Sequence, residues 1–327
     1  MKNNFCTLFY ANYSAKGVAL YRSLERECKD FHVYIVAMDE VCMQLLQDLH
    51  LSNATIISID ELETFYPSLK EVKGNRNKGE YSWTCKGPTL LYCFEKYGIK
   101  DCTYLDADLY FFADPKPLYE ECPDADVMLM DHRYTPWYNL AETNGQYCAG
   151  YMYFKATPNG LKVLSEWTEQ CIEWCYGTHE PGRFGDQKYL DEFHAKYENV
   201  YDLQHIGLCA PWNIQQYEVE LKHDGLYVTI NGKQDKLIVY HFHFLHNHDF
   251  GKFNEFYLGP YRLSNSVMTH VYRPYLEDLK EFAQWSDKMN TKADVLASSQ
   301  TPMSGLAYIW HWCKNVWKRN KLQWRRR

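Results

Sequence analysis

The sequence predicts an α/β fold built on a largely parallel sheet, and three observations carry that reading. Short apolar runs at Phe5–Tyr10, His32–Ala37 and Thr55–Ile59 have the length and composition of buried strands. Amphipathic stretches at Ala15–Cys28 and Glu40–Leu49 separate them. Strand, helix, strand, helix, strand at this spacing calls for right-handed crossovers between parallel neighbours. Ligands on such a sheet sit at the carboxyl ends of its strands, which places Tyr10 to Tyr13 and Asp39 at the same edge.

Each further element follows from its own pattern. In the first helix Val18, Leu20, Tyr21 and Leu24 supply the apolar face. Lys70–Tyr81 is polar and holds Gly74 and Gly79, which reads as a loop before the next helix, either an active-site lid or an ordinary surface loop. Pro88–Tyr97 reads as a helix that delivers the chain to a strand ending at Leu105. Asp126–Met130 and Gln146–Phe154 read as strands, and Leu161–Tyr176 and Gln187–His194 as helices. From Tyr227 to Phe244 the chain returns to strands, with Asn231-Gly232 as a hairpin turn. Three parts result: a catalytic body over 1–250, a helical extension over 251–300 and a basic tail over 301–327.

Composition narrows the class. Hydrophobic residues make up 46% and charged residues 24% of 327, a balance that supports a sizeable core. The 28 Tyr, 16 Phe and 10 Trp suit packing against sugar C–H faces as well as core filling. The 12 Cys lack paired metal-ligand spacing, and a first strand so close to Met1 leaves no room for a signal peptide, so they read as reduced cytosolic thiols. No run approaches the ~18 apolar residues of a membrane span. The net charge is −7, yet seven of the 35 basic residues lie in the last 17 positions, leaving 28 against 42 acids elsewhere. An acidic body argues against a nucleic-acid groove.

The chemistry concentrates in Thr103-Tyr104-Leu105-Asp106-Ala107-Asp108-Leu109-Tyr110-Phe111-Phe112. Two acids one residue apart, at the carboxyl end of a buried strand, are placed to share one divalent cation. An oxygen-rich site with open positions suits Mn²⁺ or Mg²⁺ bridging to phosphates. Asp114-Pro115-Lys116-Pro117 then breaks the chain as a turn. A second constellation is Gln146-Tyr147-Cys148-Ala149-Gly150-Tyr151 with Gly185-Asp186-Gln187, in which Asp186 also fits a plain helix N-cap. A third is the apolar strand Leu237–Tyr240 ending in His241-Phe242-His243, where His243 competes with His241 for the same face. His246 and His248 raise a separate zinc alternative.

The Asp-x-Asp segment resembles the nucleotide-binding half of GT-A glycosyltransferases, especially the retaining family 8 type and related bacterial enzymes. The resemblance spans about residues 3 to 248 and implies a Rossmann-like mixed sheet flanked by helices. It makes Asp106, Asp108 and His241 the metal ligands. It places Ala149 and Gly150 against the donor sugar, and Asp186 and Gln187 beneath the anomeric carbon. Cys148 stands where the family usually has Asn. Lys86 becomes a clamp on donor sugar or phosphate, against the alternative of a solvated lysine at a helix start. Tyr10, Ala11 and Asp39 fall by the nucleoside, and Trp212 lines the acceptor pocket or fills the core.

The resulting expectation is a glycosyltransferase that moves a hexose from a nucleotide diphosphate, UDP in the first instance, to a glycan or lipid-linked acceptor hydroxyl with retention. Asp186 as nucleophile and same-face attack are both open routes. A nucleotidyltransferase would carry a better phosphate loop than Asn12-Tyr13-Ser14-Ala15-Lys16-Gly17, and a non-catalytic, membrane-docked sugar binder would not keep four site residues intact. Over 303–327, Leu306, Ile309, Trp310, Cys313, Trp317 and Trp324 share one helical face flanked by Lys314, Lys318, Lys321 and Arg325. That pattern predicts a cytoplasmic enzyme docked peripherally on the anionic inner face of the cytoplasmic membrane.

Overall fold

The computed structural model describes residues 3–249 and 253–289 and the backbone of 321–325. β1 (Asn3–Phe9), β2 (Phe31–Ala37) and β3 (Ala54–Ser58) run parallel, with Asn3 opposite Phe31 and Val33 opposite Ala54. β4 (Asp101–Leu105) lies parallel on the other side of β1. β5 (Leu109–Phe111) leaves this sheet, which continues through β6 (Val127–Asp131), β7 (Tyr147–Lys155) and β8 (Val200–Asp202). The order is β3-β2-β1-β4-β7-β6-β8, and β7 is antiparallel to both β4 and β6. The sheet is therefore mixed, and the amino end of β7 meets the carboxyl ends of β1 and β4.

Both faces of the sheet are covered. Phe5 and Phe9 of β1 join one buried apolar cluster while Cys6 and Leu8 join the other, as a strand's alternation requires. Helices Ser14–Glu27 and Glu40–Leu49 pack on the first face, and Lys78–Tyr97 and Pro158–Glu173 on the second. The segment Lys70–Tyr81 is helical over most of its length, contrary to the loop expected there: Ser68–Lys73 is a helix, and the next one starts at Lys78. The reason is a capping box. Asn77 accepts from Gly79 and Glu80 N–H while the Glu80 side chain bonds back to Asn77 N–H. The helix then runs on through Pro88, giving up one backbone bond. The helix expected over Gln187–His194 is a 3₁₀ turn, Lys188–Glu192, leading into the short helix Phe193–Lys196.

Three small sheets complete the fold. β9 (Leu208–Cys209), β10 (Glu218–Lys222), β11 (Gly225–Ile230), β12 (Lys233–Lys236) and β13 (Val239–His241) follow in order. β10, β11 and β12 form a meander whose second turn has φ of 50° at Asn231 and 78° at Gly232, the left-handed pair that a two-residue hairpin needs. β13 pairs antiparallel with β5 and parallel with β9, setting His241 opposite Leu109. β14 (His246–Asp249) and β15 (Phe253–Tyr257) are joined by β16 (Lys321–Arg325).

The helical extension shares the body's core. Tyr275, Leu279 and Phe282 of helix Arg273–Lys288 belong to the same buried cluster as Phe5, and Asp278 reaches Arg26 at 2.7 Å. Lys321, Trp324 and Arg325, expected on a helical face, stand instead in a strand paired with β15, because the backbone there completes a ladder. Positions 303–320 of that expected helix lie outside the described residues. Among the described residues no helix is long and apolar enough to cross a membrane.

Candidate active site

A candidate metal site is assembled where the two sheets part. Asp106 and Asp108 form the turn between β4 and β5, closed by Leu109 N–H on Asp106 O at 3.0 Å. The β5–β13 ladder brings His241 beside them: its Nε2 lies 3.0 Å from Asp108 Oδ1 and 3.9 Å from Asp106 Oδ2. Two ligands each ~2.1 Å from a divalent ion stand no more than about 4 Å apart, so these separations fit one shared cation of the Mn²⁺ or Mg²⁺ kind. His241 and Asp108 favour each other's charged forms. Burial alone would push both toward neutrality, but Asp108 raises His241 well above its usual range, and His241 and Lys16 hold the Asp108 carboxyl far below its own.

Gly150 makes this packing possible. Its carbonyl accepts from Asp106 N–H at 2.8 Å, and a Cβ there would come 2.8 Å from both Asp106 Oδ2 and His241 Cε1. Cys148 Sγ stands 3.5 Å from His241 Nδ1. Burial pushes that thiol up, but His241 and His132 outweigh it and bring it down to about 6.

Lys86 ties the metal acids to Asp186. It rises from the middle of the Lys78–Tyr97 helix, is 3% exposed, and its Nζ lies 3.0 Å from Asp106 Oδ1 and 2.9 Å from Asp186 Oδ2 while donating to Ala149 O at 3.0 Å. That carbonyl is available because β7 bulges: Leu129 of β6 faces Met152, but the next residue, Met130, faces Cys148. Burial would lower the Lys86 ammonium, yet Asp106 and Asp186 outweigh it and hold it above its ordinary value. Asp186 caps no helix. Burial raises its carboxyl, with Lys86 pulling the other way and Asp106 adding to the rise, and its buried Oδ2 accepts no well-angled hydrogen bond.

A cleft of about 270 Å³ opens on these groups, walled by Tyr10, Tyr13, Ser82, Trp83, Asp106 and Asp108 among others. Lys78 sits at its lip, 4.8 Å over the Tyr10 ring. Burial pushes the Tyr10 hydroxyl up to about 12. A second depression of about 420 Å³ is lined in part by Asp131, Arg133, Tyr134, Gln146, Gln216 and Tyr217, and the Tyr134 ring in its wall lies 6.3 Å from that of Trp212.

The family model described as nucleotide-diphospho-sugar transferase matches residues 28–277. The chain belongs to that family. It is an enzyme of the glycosyltransferase class. Two relatives from Bacillus subtilis (strain 168) match it at length: the uncharacterized protein YfnD is 29% identical over 305 residues, 91% of this chain and 94% of its own. The uncharacterized protein YfnF is 32% identical over 252 residues, 74% of this chain and 81% of its own. A crystal structure of an active-site mutant of LgtC superposes with a TM-score of 0.51 at 12% identity, covering 85% of this chain and 95% of that one. That likeness shows the fold, which is GT-A.

In this transferase the expected site residues fall into two groups. Asp106, Asp108, His241, Lys86, Gly150, Ala149 and Asp186 converge within direct contacts. Tyr10 walls the cleft, but Asp39 spends its oxygens on Ala11 N–H at 3.2 Å and Cys42 N–H at 2.7 Å, capping helix Glu40–Leu49. Gln187 donates to Asn144 O at 2.7 Å and so holds the end of the short helix Ala141–Asn144. Of the competing histidines it is His241 that meets the two acids. The His243 ring lies 5.7 Å from that of His241 and is pushed down to about 3 by burial and by the His241 charge. The Trp212 ring packs 5.3 Å from that of His241, so it walls the metal site. Among the described residues no zinc-type cluster forms around His246, and the side chain of His248 lies outside them. Lys16, Lys78 and Trp83 were not singled out as site residues by sequence. Lys78 and Trp83 had a signal in Asn77 and Glu80, which set the start of their helix at the cleft.

Proposed function

We propose that the enzyme moves a hexose from a nucleoside diphosphate, UDP in the first instance, to a hydroxyl of a glycan or lipid-linked saccharide, with retention at the anomeric carbon. The carrying observation is the convergence of Asp106, Asp108, His241 and Lys86 on one cleft, with Asp186 held directly behind by Lys86. Asp106, Asp108 and His241 would hold Mn²⁺ or Mg²⁺, which when bound offsets the charge that builds on the departing diphosphate. Tyr10 and Trp83 offer faces for the nucleoside base. Lys86 fixes Asp186 at a set distance from Asp106, and the underbonded Asp186 carboxylate meets the positive charge that develops on the sugar. The second depression, rich in amides and tyrosines, suits an acceptor saccharide.

The test is release of nucleoside diphosphate from a panel of sugar nucleotides with and without Mn²⁺. Asp108→Asn should stay folded, lose Mn²⁺ binding and lose turnover at least a thousandfold, about 4 kcal/mol of barrier. A variant with full, metal-dependent activity sinks the assignment. The basic C-terminus supports docking on anionic lipid. Replacing Lys314, Lys318 and Arg319 by Glu should abolish sedimentation with phosphatidylglycerol vesicles at low salt. A wild-type chain that ignores such vesicles rules docking out.

A further inference from the structure

We infer that Lys16, held beside Asp108, is a further diphosphate-binding residue of this site that donates to a phosphate oxygen of the bound donor. The inference rests on the sugar-nucleotide reading above. It deepens that reading by assigning a cation that the phosphate-loop comparison passes over.

Geometry carries it. Lys16 lies in the first turn of helix Ser14–Glu27, and its side chain is 12% exposed. Its Nζ donates to Leu245 O at 3.0 Å, stands 4.4 Å over the Tyr13 ring, and lies 3.7 Å from Asp108 Oδ2. The last distance is too long for a hydrogen bond. An ammonium has three donors, and among the described residues only one of those on Lys16 has an oxygen within reach. A lysine whose work was to neutralise Asp108 would close on it to about 2.8 Å, as N⁺–H···O⁻ pairs do. The Leu245 carbonyl holds Lys16 back, leaving its spare donors beside the oxygen that Asp108 turns away from His241.

Charge balance says what those donors face. With metal bound, the two positive charges of the ion are matched by Asp106 and Asp108, and Lys86 is matched by Asp186 with all three of its contacts made inside the protein. The donor diphosphate brings two negative charges, and a third appears as the anomeric C–O bond breaks and its electron pair stays on the phosphate oxygen. Lys78 is exposed at the lip of the cleft. Among the described residues Lys16 is the sheltered lysine beside the metal acids that stands too far from either of them for a hydrogen bond, so it keeps donors for a phosphate oxygen. It makes and breaks no covalent bond. The acceptor proton leaves by another group.

The experiment separates this role from a structural one by the sign of two changes. Calorimetry would measure Mn²⁺ alone and then UDP at saturating Mn²⁺, with uridine as the phosphate-free control, for wild type, Lys16→Met, Lys16→Gln and Lys16→Arg. Removing a positive charge next to a metal ligand should tighten Mn²⁺ alone by at least about threefold. The same removal should weaken UDP by about tenfold or more and flatten its salt dependence, while uridine binding is unchanged. Lys16→Arg should keep UDP affinity within about threefold. Mn²⁺ and UDP weakening together, with a lower melting temperature, would mean that Lys16 only braces the fold. Unchanged UDP affinity in Lys16→Met and Lys16→Gln would overturn the contact while leaving the sugar-nucleotide reading intact. A wild-type chain that binds UDP, GDP and ADP no better than uridine would defeat that reading and this inference with it.

Discussion

Asp126 and Asp186 are both almost closed to solvent, 5% and 4% exposed, but Asp126 lies near the surface and Asp186 deep in the protein, and their carboxyl groups are displaced in opposite directions. Burial raises both. At Asp126 three neutral donors reverse it: Thr157 Oγ1 at 2.6 Å and the side-chain amides of Asn159 and Asn199 at 2.9 and 3.1 Å. At Asp186 the compensation comes from Lys86, a cation shared with Asp106, and the nearby Asp106 charge works against it. One carboxylate is fully bonded and joins the head of helix Pro158–Glu173 to the β8 edge. The other is left short of hydrogen bonds at the edge of the sheet where ligands bind. The shallow, fully bonded carboxylate thus serves stability, and the deep one stores unmet bonding capacity.

The largest effect should come from removing that stored capacity. Asp186→Asn is expected to cost turnover about a thousandfold, roughly 4 kcal/mol of barrier. UDP affinity should stay within about threefold, and the melting temperature should hold or rise, since a buried charge is gone. Equal losses of stability and nucleotide binding in calorimetry and a melting curve would make Asp186 a structural residue like Asp126. Asp126→Ala should show the reverse pattern. It leaves three donors unpaired and should cost about 2–3 kcal/mol in urea unfolding, with kcat unchanged. The smallest effect is on pH dependence. The folded-state value of Asp126 lies below its unfolded one, so between the two the unfolded chain binds more protons and stability falls as pH falls. Asp126→Asn should flatten that acid limb below about pH 4, by about 1 kcal/mol or less. An unchanged limb would mean that the hydrogen bonds of Asp126 are loose in solution.

How much of this was legible in sequence depended on how local each cause is. Asp106 and Asp108 could be read because they follow a buried strand of an α/β sheet, whereas His241 stood out from His243 only through the family resemblance. The Asn231-Gly232 turn could be read because its backbone requirement lies within two residues. The partners of Lys86 could not be, since its contact with Ala149 O exists only where β7 bulges against β6, a mismatch between strands with no mark in either one. Asp39 caps the Glu40–Leu49 helix, a role that its position at a strand end does not announce, because that position does not say whether a carboxylate faces the cleft or its own helix. Lys16 carries no signal in sequence, because what sets it beside Asp108 is the packing of the Ser14–Glu27 helix next to Leu245.

The strand at Lys321–Arg325 ties the far end of the chain to β15, more than sixty residues earlier, and thereby closes one side of the β14–β15 hairpin. Truncation of the basic tail would consequently do more than remove charge. It would strip β15 of a partner and leave a row of unpaired backbone N–H and C=O groups, the kind of open template on which other chains add. Insolubility of a shortened protein would then reflect edge-to-edge association rather than loss of a lipid anchor. Charge-reversing substitutions that keep the strand intact are the cleaner way to separate the two.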